Sequence, residues 1–142
     1  MTYLEWFDDF AQKHETIVKK LLKKGLNEEQ IIDYFDFESM LKNEPDFCPL
    51  YAEGKKCHEI ESLNCYLCAC PYFRFNDKGF EIIDTKTKYS YCSIDAKDGR
   101  LGTYGDTIHQ DCTKCTVPHH RSYIKKSFDY DWKKIMSKCN LN

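Results

Sequence analysis

Apolar residues recur at Tyr3, Phe7, Phe10, Ile17 and Leu21, with Leu4, Ala11 and Val18 beside them. That spacing predicts an amphipathic helix with one buried face. Thr2 and Glu5 form a capping box at its start, and Gly25 after Lys23-Lys24 is its stop. His14 falls on the same stripe and is expected to pack as a core histidine. Asn27 with Gln30 starts a second helix in the same way. Ile31, Ile32, Phe35, Met40 and Leu41 give it an apolar side, and Pro45 bars its continuation. Residues 1–44 therefore read as an N-terminal helical hairpin. Its apolar faces need a partner surface. The expected one is the cysteine-rich remainder, residues 45–142, and the alternative is another protein.

From Asp46 the pattern changes. Cys48-Pro49, Gly54 and Cys57-His58 lie in loop-like sequence. Residues 72–75 and 80–84 read as two strands, with Asn76-Asp-Lys-Gly79 as a hairpin turn between them. Residues 89–92 read as a third strand. The glycines and aspartates of 95–107 predict a loop. The final helix is expected over 122–138, with Ile124, Phe128, Trp132, Ile135 and Cys139 on one side. Cys139 is then a small packed hydrophobe and no ligand. The fold class is α+β: a small metal-stabilised cysteine-rich domain with a short β-hairpin, an N-terminal helical hairpin and a C-terminal helix.

The chain has 142 residues, which sets one domain as the default. Residues 76–122 hold few aliphatics, so that half needs cross-links to stay folded. The formal charge of −2 provides no overall field to draw the chain onto nucleic acid or a membrane. No apolar run approaches the length of a membrane span. The first ten residues are acidic and lack a basic leader, so no secretory signal is expected. A cytoplasmic location is the expectation, and thiols stay reduced there. Nine cysteines in a reducing compartment read as ligands.

The ligand pattern centres on Asn64-Cys65-Tyr-Leu-Cys68-Ala-Cys70-Pro-Tyr72 and Asp111-Cys112-Thr-Lys-Cys115-Thr-Val-Pro-His119. A CxxC pair suits a metal because a tight turn brings both sulfurs to one ion, and zinc takes four such ligands in a tetrahedron. Two CxxC pairs, together with Cys48, Cys57, Cys70 and Cys92, make eight thiols. That is enough for two four-ligand sites, and one site with spare thiols is also possible. His58 and His119 are the nitrogen candidates. Zinc, one or two ions, is the favoured cofactor. An iron–sulfur cluster is the alternative, because Cys48 and Cys70 each precede a proline and aromatic residues surround the motif.

These two motifs, with the lone Cys92 between them, resemble the cysteine-rich small domain family, which is zinc-finger-like and metal-binding. The resemblance covers about Cys48 to His119. It implies a core pattern of Cys57, His58, Cys65, Cys68, Cys70, Cys92, Cys112, Cys115 and His119. Some members of that family are joined to cobalamin-biosynthesis enzymes.

No Ser/His/Asp arrangement or phosphate loop stands out, so no catalytic residue is assigned. A redox thiol pair, Cys65/Cys68 or Cys112/Cys115, is the enzymatic alternative. Lys114, Arg121, Lys125, Lys126, Lys133, Lys134 and Lys138 form a basic C-terminal segment. It reads as the solvated side of a helix, with a nucleic-acid-associated zinc module as the alternative. The leading expectation is a metal-binding module acting through a partner protein.

Overall fold

A computed structural model describes residues 1–142 as a mixed α+β fold. Helix α1 runs from Tyr3 to Lys23 behind the expected Thr2/Glu5 capping box. Gly25 takes φ 83, the left-handed turn that glycine adopts without penalty. Phe7, Phe10, His14, Ile17 and Leu21 are buried along one side. His14 packs as expected. It is fully buried, stacks on Phe35 at 4.8 Å, and places Nε2 3.0 Å from the Tyr66 carbonyl.

The second helix is divided, in place of the single one expected. α2 spans Glu28–Tyr34 and α3 spans Phe37–Asn43. At the break, Phe35 and Phe37 bond outward. The Phe35 carbonyl accepts from Cys65 N at 2.8 Å, and Phe37 N donates to the Leu63 carbonyl at 2.9 Å. Asp36 and Asn64 form the centre of this short antiparallel bridge. The helix gives up a turn because the chain entering the cysteine motif occupies those backbone groups.

The strand pairing also differs from expectation. β1 (Phe73–Phe75) and β2 (Glu81–Ile83) do not pair with each other. β2 pairs with β3 (Lys86–Lys88) through Asp84-Thr85, both at positive φ, the backbone of a two-residue hairpin. β1 pairs with β4 (Ser90–Cys92), which sets Phe73 opposite Cys92. Residues 95–107 are not all loop. β5 (Arg100–Tyr104) and β6 (Thr107–Asp111) form a hairpin that turns at Gly105, φ 65. β3 and β6 pair in parallel, which gives a four-stranded sheet ordered β2-β3-β6-β5.

The final helix is likewise split, into α4 (Arg121–Ser127) and α5 (Trp132–Ile135). Asp129 and Asp131 accept from nearby backbone N–H groups, a local alternative to helical bonding. The tail then joins β1, with Phe75 N donating to Cys139 O and Leu141 N to Phe75 O, each at 2.9 Å. A single core of 22 buried residues draws on α1, α2, α3, the cysteine motif and both C-terminal helices. Tyr66, Leu67 and Trp132 belong to it, each almost fully buried. No helix is long and apolar enough to cross a membrane.

Candidate metal centre

The loop Asn64–Cys70 crosses from this core to the cysteine-rich side. Asn64 fixes its start. The Asn64 Nδ2 donates to Ile32 O at 2.8 Å and to Asp36 Oδ1 at 2.7 Å, while Oδ1 accepts from Tyr66 N at 2.9 Å. Its end is a reversal at Ala69 (φ 90) and Cys70 (φ 70). Both sit in the left-handed region without being glycine, at a cost of roughly 1–2 kcal/mol each. The reversal begins directly after Cys68 and includes Cys70 itself. The C-terminal segment pins both sides of it. Trp132 Nε1 donates to Cys68 O at 3.2 Å, and the Cys139 thiol lies 3.6 Å from Cys70 O. Cys139 is buried in the core.

All nine cysteines are free thiols. A cavity of about 170 Å³ is lined by Cys57, Cys68, Cys70, Cys92, Cys112 and Cys115, together with His58 and His119. These residues come from four separated stretches of chain. Cys92 arrives on β4, its N–H donating to Gln110 Oε1 of β6 at 3.1 Å. Gly99 makes room for that glutamine, since a Cβ there would lie 2.8 Å from Gln110 Nε2. Cys112 and Cys115 flank a tight turn in which Cys115 N donates to Cys112 O at 3.0 Å. Asp111 steadies the turn, accepting from Thr113 N and Oγ1 at 2.9 and 2.6 Å.

Cys48 and Cys65 do not border the cavity. They lie beside Tyr51, on the 3-10 turn Pro49–Glu53. The Tyr51 hydroxyl is buried and lacks a hydrogen-bond partner.

The thiols fall into two electrostatic neighbourhoods. Burial pushes Cys65 up to about 12, the neighbouring Tyr51 hydroxyl pulls the other way, and the charges of Cys57 and Cys48 add to the rise. Cys68 is raised well above its ordinary value by burial, then by Cys65, Cys57 and Cys48. On the other side, burial raises Cys70 and Cys112 to about 11 each, with Cys92 and Cys115 adding to both. Such thiols hold their protons unless a cation takes up the charge. A coordinating metal ion does so and deprotonates them outright. The donor set fits zinc, and the unpartnered Tyr51 hydroxyl is a donor suited to a thiolate at Cys65.

The two histidines stand close together, with ring centroids 4.7 Å apart. Cys57 Sγ, His58 and His119 offer ligand atoms that all lie within 4.8 Å of one another. Burial lowers His119 to about 4, so it is neutral at pH 7. Sequence reasoning named these ligand types but missed Asn64, Tyr51 and Gln110 as their supports. Only Asn64, directly before Cys65, carried a local signal.

No known family model matches the chain, and neither a curated protein nor a solved structure matches it.

Proposed function

We propose that the protein binds zinc through its clustered cysteines, that the metal is structural, and that the module acts through a partner protein in the cytoplasm. The observation that carries this reading is the convergence of six cysteines and two histidines, from four stretches of chain, on one cavity. Thiolate-rich zinc sites are usually closed, so binding and stability, and no reaction, are the default roles. The region around β2 to β6 lacks a large apolar core, and metal binding free energy would act there as folding free energy. The exposed side chains Ile82 and Tyr104, on the same side of the four-stranded sheet, offer a contact face for a partner.

A second reading is an iron–sulfur centre. Cys70, Cys92, Cys112 and Cys115 border the cavity beside Tyr72 and Phe73, which would shield a cluster from water. A nucleic-acid role has less support. Carboxylates engage Arg121, Lys125, Lys133 and Lys134 of the basic segment.

Elemental analysis of natively purified, anaerobically handled protein tests the proposal. One or two zinc ions per chain are expected. Iron with broad visible absorbance would favour the second reading, and protein folded with no bound metal would overturn both.

A further inference from the structure

Cys57, His58 and His119 differ from the other candidate ligands in how they are held. Each imidazole is committed through its far nitrogen to a backbone carbonyl. His119 Nδ1 donates to Asn64 O at 2.9 Å, and His58 Nε2 donates to Cys112 O at 2.9 Å. A carbonyl only accepts, so these nitrogens carry the hydrogens and the near ones carry lone pairs. The near nitrogens, His58 Nδ1 and His119 Nε2, lie 3.1 and 3.8 Å from Cys57 Sγ. One thiol hydrogen serves only one of the two lone pairs. A cation among the three atoms satisfies both lone pairs and a thiolate. A carbonyl behind the ring is also how metal-binding histidines are commonly oriented.

The set has three members, where a closed zinc site has four. Cys57 is exposed, and all three residues border the cavity. The neighbouring walls are apolar, formed by Ile94, Ala96 and Val117. An apolar-walled space beside a soft cation suits a small organic thiol better than a charged oxyanion.

We propose that Cys57, His58 and His119 hold a zinc ion whose fourth position is open and takes a small organic thiol from solution. The incoming thiol binds as its thiolate, displaces a water molecule and releases one proton to solvent. This rests on the zinc-binding reading and adds an exchangeable position to it. The remaining cysteines keep the structural role.

The test uses the full chain with cobalt in place of zinc, and 2-mercaptoethanol as the probe. Millimolar 2-mercaptoethanol is expected to raise the sulfur-to-cobalt absorbance saturably. His58→Ala should lose one metal equivalent and the thiol response. It should keep the other bound metal and the far-ultraviolet dichroism of the parent. Cys57→Ser should behave in the same way. A cobalt spectrum indifferent to the thiol would overturn the open position. So would a variant that keeps every equivalent and the full response. A chain that takes up no cobalt or zinc would instead defeat the zinc-binding reading itself.

Discussion

The backbone oxygen of Asn64 and the Nδ1 of His119 are 2.9 Å apart, and Asn64 N returns a bond to the His119 carbonyl at 3.2 Å. One residue thus holds the helical hairpin through its side chain and the histidine through its backbone. Asn64→Ala removes three side-chain bonds, two of them buried, and should cost about 2–4 kcal/mol. The His119 contact uses only the backbone, so it survives where the variant folds. Urea denaturation of the variant beside the parent measures the loss. A difference below about 0.5 kcal/mol would show that the bridge is not a structural support.

Cys68→Ser should reduce bound metal and weaken the fold. Cys139→Ser should leave the metal content unchanged and cost only about 1–2 kcal/mol, as a polar group replacing a buried thiol. Metal counts on both variants separate the ligand from the packed residue. Full metal and an unchanged cooperative melt in Cys68→Ser would count against the candidate centre.

Tyr51→Phe gives opposite expectations in the two states. In the metal-free chain it removes a buried hydroxyl without a partner and should be neutral or stabilising. In the metal-loaded protein it removes a donor to the Cys65 thiolate and should cost about 1–3 kcal/mol. Melting the variant with and without metal reads the sign directly.

Ala69→Gly should stabilise the protein by roughly 0.5–1 kcal/mol. Residue 69 is at φ 90, where glycine lacks the Cβ penalty. The gain is partial because glycine also loosens the unfolded chain. Chemical denaturation decides it, and a destabilised variant would mean that the Ala69 methyl group packs more tightly than its strain costs.

His14 sets a pH dependence. Burial depresses its pKa from the ordinary 6.5 to about 3. The Tyr66 carbonyl satisfies Nε2–H, while Nδ1 is buried without a partner and has no acceptor for a second hydrogen. Below pH 6.5 the unfolded chain takes up a proton that the folded chain refuses. The contribution is complete above that pH and is lost as pH falls toward 3. Between pH 7 and 5 the loss is about 2 kcal/mol. Subtracting a His14→Phe variant isolates this effect from proton competition at thiols. Equal slopes for parent and variant would exclude it.

The helix starts were legible because capping boxes are local: Thr2/Glu5 and Asn27/Gln30 act within one turn. The division of the second helix was not. It depends on Leu63 and Cys65 reaching Phe37 and Phe35 from far along the chain. The strand pairing failed for a related reason. The Asn76–Gly79 segment does turn, but Asp84-Thr85 makes a tighter hairpin without glycine, and nothing local ranks one turn above the other. The cysteine spacing located the candidate ligands. It did not reveal that Cys48 and Cys65 stay out of the cavity wall, because Cys65 belongs to the core and Cys48 packs against it.

Trp132 is buried and donates its indole hydrogen to the carbonyl of Cys68, whereas Trp6 is only half-buried. The chain thus carries its own optical probe at the centre of the molecule. Any rearrangement of the loop between Leu67 and Cys70 alters the polarity around that ring. Its emission colour therefore offers a label-free view of whether the sulfur-bearing loop is seated, followed in real time on the unmodified chain.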